Sequence, residues 1–126
     1  MENSVHTLLI VDDDPRNVFA LKATLKARKY TVITSTSAVE ALDILNRDKS
    51  IDMVLLDMMM PEMDGYEALA SLRGNPEFEH LPVIAVTAQA MTGDREKCLE
   101  AGASAYLSKP IDVDKLVILL DQFLES

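Results

Sequence analysis

Residues 53–69 read MVLLDMMMPEMDGYEAL: an apolar run stops on a carboxylate, crosses three methionines and turns at Pro61. Four apolar residues leading to Asp57 suit a strand buried on both faces, because a half-exposed strand alternates apolar with polar. Beyond the turn, Asp64 and Glu67 have the spacing of a helix-start box, with Asp replacing Ser or Thr. A helical pattern follows near 65–74. The stretch therefore reads as strand, loop and helix, with a carboxylate at the strand's C-terminal tip.

The same alternation extends in both directions. Thr7 to Val11, Thr31 to Thr34, Val83 to Thr87 and Ala105 to Leu107 read as further buried strands, rich in Val, Ile and Leu. Helical patterns lie near 15–28, 38–47, 92–101 and 113–124. Asp14 before Pro15 looks like an N-cap followed by proline at the first helical position. Ser37 with Glu40 has capping-box spacing. Gly102 stands where a left-handed C-terminal residue is expected. Strict alternation of strand and helix implies a parallel sheet with helices on both faces. The expected fold is α/β: one domain over residues 1–126, a doubly wound five-stranded parallel sheet of flavodoxin-like order 2-1-3-4-5, with five helices. Ligands of such sheets bind where strands 1 and 3 diverge, at the strand C-terminal ends.

Composition narrows the function. The chain has 126 residues, 48% of them hydrophobic, and a formal charge of −9. That charge argues against nucleic acid or anionic lipid as a partner. The longest strictly apolar run, Leu116 to Leu120, is far too short to span a bilayer, and Asp12 interrupts the first apolar run at once. The single Cys98 excludes an internal disulfide and suits a reducing compartment. A cytoplasmic location is expected.

The strand tips carry the chemistry. Strand 1 ends in Asp12-Asp13-Asp14, strand 3 in Asp57, strand 4 in Thr87-Ala88 and strand 5 in Ser108-Lys109-Pro110. Singly, each has a structural explanation: acids before a helix serve its dipole, and a lysine before proline is commonly a solvated turn residue. Together they bring carboxylates, a hydroxyl and an ammonium to one crevice. Crowded carboxylates call for a hard divalent cation with oxygen ligands, and Mg²⁺ favours few carboxylates plus waters and a phosphate oxygen. An aspartate beside such a cation and a lysine is a competent nucleophile toward phosphorus.

The segments "LLIVDDD", "LLDMMMPEMDGYEAL", "VIAVTA" and "AGASAYLSKP" occur in this order and resemble the receiver domains of two-component response regulators and hybrid histidine kinases. The resemblance covers essentially the whole chain. It implies that Asp57 is a phosphoacceptor, taking a phosphoryl group from a phosphohistidine on a sensor histidine kinase or a histidine phosphotransfer protein. It further implies Mg²⁺, with Mn²⁺ as substitute, held by Asp12, Asp13, Asp57 and the Met59 backbone carbonyl. Thr87, Ala88 and Lys109 would contact the phosphoryl group, with Lys109-Pro110 a cis bond. Tyr106 would switch inward on phosphorylation and reshape the face of helix 4, strand 5 and helix 5. Met59 and Gln89 would tune water access. One position departs from the family: Lys29 stands where many members have Gly, so the turn after helix 1 needs either a non-glycine left-handed residue or another geometry.

The role implied is that of a signalling phosphoacceptor, which assists its own phosphorylation and dephosphorylation without being an enzyme on a separate substrate. Two other readings use the same residues: a Mg²⁺-dependent aspartate-nucleophile phosphohydrolase, and a receiver-like scaffold that is not phosphorylated. The first normally places its two aspartates two residues apart on strand 1, whereas here the acceptor lies on strand 3. Two further expectations come from helix geometry. Phe19 lies roughly 160° around helix 1 from Leu21, so Phe19, with Val18, is expected to dock the phosphohistidine partner. Helix 5 has more apolar residues than one buried stripe through Val113, Leu116, Val117 and Leu120 can use, leaving Ile118 opposite. This excess points to a homodimer or a partner contact.

Overall fold

The computed structural model describes residues 6–60, 65–88 and 93–124. Five strands alternate with five helices: β1 Thr7–Val11, α1 Pro15–Ala27, β2 Thr31–Ser35, α2 Ala38–Arg47, β3 Ile51–Asp57, α3 Gly65–Arg73, β4 Val83–Thr87, α4 Asp94–Glu100, β5 Ala105–Ser108 and α5 Val113–Leu124. All strand pairs are parallel and the order is β2-β1-β3-β4-β5.

Period-two alternation along the central strands sends side chains to opposite faces. Leu8 and Ile10, Met53 and Leu55, and Ile84 and Val86 form one face, covered by Leu21 and Leu25 of α1 and Leu116, Leu120 and Leu124 of α5. Leu9 and Val11, Val54 and Leu56, and Val83 and Ala85 form the other, covered by α2, α3 and α4 through Ala41, Leu45, Leu69, Leu72 and Cys98. Burial on both faces is why these strands read as continuous apolar runs. On α5, Ile118 is exposed and Val117 half-buried, so the buried stripe is Leu116, Leu120 and Leu124 rather than one that includes Val113 and Val117.

The helix boundaries follow local chemistry. The Asp14 side chain accepts from the Arg16 N–H at 3.0 Å, with Pro15 in the first turn. Ser37 Oγ accepts from the Glu40 N–H at 3.1 Å, but the return half of the expected box is redirected. Glu40 accepts instead from the Thr36 N–H and from Ser35 Oγ, because the buried Ser35 hydroxyl sits between the carboxylate and Ser37. The chain leaves α1 through Lys29, at φ 75°. The Tyr30 N–H reaches the Leu25 carbonyl at 3.1 Å and the Lys29 N–H the Lys26 carbonyl at 2.9 Å, the paired bonds of a Schellman turn on a non-glycine residue. Gly102 has φ 116°, as its position after α4 suggested. Asp64, the expected partner of Glu67 in a helix-start box, lies outside the described residues.

β3 begins earlier than its apolar run. Asp52 masks the start, its carboxylate accepting the Thr7 N–H at 2.8 Å where the β1–β3 register shifts. At the far end Met58 and Met60 turn into the core while Met59 is half-exposed. Gly65 opens α3 against this loop. A Cβ there would overlap the Met58 sulfur and stand 2.7 Å from the Met58 Cα, so no side chain fits without moving backbone.

Candidate functional site

Parallel register brings the strand tips level, with Val11 beside Leu56, Asp57 beside Val86 and Thr87 beside Ser108. Asp12, Asp57 and Thr87 are buried there, whereas Asp13 is exposed at the rim. One carboxylate oxygen from each of Asp12, Asp13 and Asp57 can be chosen so that all lie within 4.8 Å of one another. Lys109, delivered by the turn after β5, places Nζ 3.2 Å from Asp57 Oδ2 and 3.2 Å from Asp12 Oδ2. Its own N–H donates to the Thr87 carbonyl at 2.8 Å, which fixes the lysine relative to β4, and Lys109-Pro110 is cis as the resemblance implied.

Electrostatics explains how two buried acids coexist. At an effective dielectric near 20, each Lys109–carboxylate approach is worth about 5 kcal/mol, against a repulsion of about 4 kcal/mol between the acids, before desolvation. Burial raises the Asp57 carboxyl above the usual carboxylate range, opposed by the Met59 N–H on Oδ1 at 2.9 Å and by Lys109. Burial pulls the Lys109 ammonium down, but Asp57 and Asp12 outweigh it and hold it above its ordinary value. Hard oxygen donors, one at the solvent rim and one with a raised pKa that a positive charge would lower, fit a divalent cation such as Mg²⁺.

Asp57, Asp12, Asp13, Thr87 and Lys109 thus converge, with Ala88 exposed beside Thr87. Met59 contributes its backbone N–H to Asp57, while its side chain is 50% exposed next to the crevice. Gln89 lies outside the described residues. Tyr106 is half-buried in β5, and its hydroxyl donates to Asp94 Oδ2 at 3.1 Å in the first turn of α4. Phe19 is 75% exposed on α1, whereas Val18 is half-buried and packs on the core beneath.

Two contacts escaped the sequence reading. Asp12 Oδ2 also accepts the side-chain amide of Asn17, in the first turn of α1, while Asp12 Oδ1 accepts the Asp14 N–H at 2.9 Å. The only signal was an amide placed three residues after the helix cap. Asp94 as partner of Tyr106 left none, because the two lie on separate elements.

Among the described residues no helix is long and apolar enough to cross a membrane. The response regulator receiver domain family matches residues 8–121. The polar-differentiation response regulator DivK of Brucella ovis is 38% identical over 118 residues, 94% of this chain and 95% of that protein. The receiver domain of sensor histidine kinase PA1611 from Pseudomonas aeruginosa has 33% identity and a TM-score of 0.87 over 98% of this chain and 100% of that one. It was crystallised with a magnesium ion coordinated in its active-site cleft. The Saccharomyces cerevisiae Ssk1 receiver, solved with the histidine phosphotransfer protein Ypd1, shares the fold at 22% identity and a TM-score of 0.87, over 98% of this chain and 91% of that one. A five-stranded sheet of order 2-1-3-4-5 with an acid cluster at its tips, matched nearly end to end, makes this chain a member of the response regulator receiver domain family of two-component signalling.

Proposed function

We propose that Asp57 is the phosphoacceptor and that the phosphoryl group comes from a phosphohistidine on a sensor histidine kinase or a histidine phosphotransfer protein. The observation that carries this reading is the Lys109 ammonium 3.2 Å from a buried Asp57 carboxylate, inside a cluster of three acids. An Asp57 carboxylate oxygen attacks phosphorus as the phosphorus–nitrogen bond to the imidazole breaks, and the leaving imidazole takes up a proton. Lys109 and the Thr87 hydroxyl donate to the phosphoryl oxygens, where charge is greatest. Asp12, Asp13, Asp57 and the Met59 carbonyl would hold Mg²⁺, or Mn²⁺ in its place, which supplies positive charge to a phosphoryl oxygen and screens the acids. Ala88 lies alongside the phosphoryl oxygens, and Met59 and Gln89 limit the approach of hydrolytic water.

Thr87, drawn toward the phosphoryl group, opens room for Tyr106 to turn inward. This is a population shift, opposed here by the bond from Tyr106 to Asp94. Phe19, exposed on α1, docks the partner beside the crevice, with Val18 supporting it from below. Ile118, 64% exposed, offers a contact for a second copy or a downstream protein. The proposed location is the cytoplasm, consistent with a lone buried thiol.

Intact mass after incubation with Mg²⁺ and acetyl phosphate tests the core of this reading. Wild-type protein should gain one phosphoryl group and Asp57→Asn none; full labelling of the variant rejects the assignment, and an unlabelled wild type favours a scaffold. Sustained turnover of small phosphate esters would instead mark a phosphohydrolase. Phe19→Ala should slow transfer from the phosphohistidine partner and leave acetyl-phosphate labelling unchanged.

A further inference from the structure

The Asp12 carboxylate is held at both oxygens. Oδ1 accepts the Asp14 N–H at 2.9 Å, and Oδ2 accepts both the Asn17 side-chain amide and Lys109 Nζ, the latter at 3.2 Å. Of these donors, Asp14 is a backbone N–H two residues away, Lys109 is charged and sits at the end of a flexible four-carbon stem, and Asn17 is neutral and carried by α1. A carboxylate bonded at one oxygen can rotate about that bond; bonded at both, its plane is set. Once a cation or a phosphoryl group displaces Lys109, Asn17 is, among the described residues, the remaining side-chain donor on Oδ2. A cationic side chain in its place would compete with a metal ion for the same oxygen, and an apolar one would let the carboxylate swing.

We propose that Asn17 is a positioning residue for the cation site, holding the Asp12 carboxylate plane through its side-chain amide so that Asp12 stays aimed into the crevice when a cation displaces Lys109 from it. This rests on the reading of Asp12 as part of a cation-holding set. The role is separable from fold maintenance, because Asn17 is only half-buried in the first turn of a 13-residue helix, where alanine is the better helix former.

Calorimetric titration of the intact protein with Mg²⁺ alone, at fixed ionic strength, tests it. Outer partners of metal ligands typically contribute 10–100-fold in affinity, and a neutral amide that is only half-buried belongs near the low end. Asn17→Ala is expected to bind Mg²⁺ about tenfold more weakly, with an unchanged circular dichroism spectrum and a metal-free melting temperature close to wild type. Asn17→Gln, which keeps the amide on a longer arm, should recover part of the loss. Wild-type affinity in Asn17→Ala, alongside a loss in Asp12→Asn, overturns the positioning role alone. Wild-type affinity in both variants overturns it together with the cation reading. A lowered metal-free melting temperature with unchanged Mg²⁺ affinity assigns Asn17 to the fold and rejects the proposal.

Discussion

Replacing Arg73 should cost more stability than any change at the phosphoryl crevice, although Arg73 lies at the opposite pole of the sheet. Its guanidinium gathers backbone carbonyls from two segments. Nη1 donates to Phe78 and Leu81, each at 2.9 Å, and Nε to Gly102 at 2.8 Å, with longer contacts to the Glu79 carbonyl and Ser104 Oγ. These bonds tie the C-terminal turn of α3 to the segment before β4 and to the turn before β5. A hydrogen bond to a charged group contributes about 1.5–3 kcal/mol. Three short ones would give roughly 4–9 kcal/mol at most. The site is half-buried rather than sealed, so some of the freed carbonyls regain water, and about 2–4 kcal/mol is the expected net loss for Arg73→Ala. At roughly 0.26 kcal/mol/K of unfolding entropy for a chain of this length, that lowers the melting temperature by about 8–15 °C. Arg73→Lys should lose most of the same stability, because one ammonium cannot reproduce the fork. Urea melts measure the loss, and Gly102→Ala supplies an internal control. A Cβ at Gly102 would stand 2.7 Å from Arg73 Cγ at φ 116°, so its cost combines a clash with backbone strain. In an Arg73→Ala background the clash is gone and the penalty should shrink. A loss below about 1 kcal/mol for Arg73→Ala, or strict additivity of the two changes, would refute the staple.

Four other outcomes are expected. Lys29→Gly relieves a left-handed backbone at φ 75° and should stabilise by about 0.5–1 kcal/mol in urea melts once the greater freedom of the unfolded glycine chain is deducted. Gly65→Ala forces the Met58 backbone away from α3 and should destabilise by more than about 2 kcal/mol, whereas a neutral result would mean the loop yields freely. Because the folded protein raises the Asp57 pKa, this group holds its proton longer folded than unfolded, and its contribution to stability falls as pH rises from the ordinary carboxylate value upward. Asp57→Asn in EDTA should therefore melt above wild type at neutral pH and converge with it below about pH 4, where both side chains are uncharged; a constant offset across pH would contradict the raised pKa. Mg²⁺ should raise the wild-type melting temperature, and Asp13→Asn should blunt that rise while changing the metal-free melt little, since Asp13 lies at the solvent rim.

The legible parts of the molecule were those written as local pattern. Doubly buried strands such as Met53 to Leu56 announce themselves as unbroken apolar runs, and the order of five βα units follows from connection rules more than from any single residue. Asp14-Pro15, Ser37 and Gly102 marked helix ends because caps are set within a few residues. What escaped was side-chain pairing between elements. Arg73 carries no signal beyond a basic residue in a last helical turn, and its partners lie five to thirty-one residues away. Glu40 had the spacing to close a box on Ser37, and a buried serine from the preceding strand intercepted it. Of the crevice, the strand-tip acids and Lys109 could be foreseen because topology alone carries them there. Asn17 could not, since only the rotation of α1 decides which of its side chains faces β1.

Lys109, shared equally between Asp12 and Asp57, gives the crevice a counter-ion that can be neither dialysed away nor chelated. Its effective concentration is set by the reach of one side chain rather than by the surrounding solution. A free divalent ion therefore arrives as a competitor with a resident, and its titration midpoint reports the tether as well as the carboxylates. Truncating the lysine would remove the competitor and the phosphoryl donor together, so Lys109→Ala should hold Mg²⁺ more tightly than wild type and still accept phosphate poorly. Tight cation binding and efficient phosphoryl acceptance are in this crevice opposing demands on one side chain.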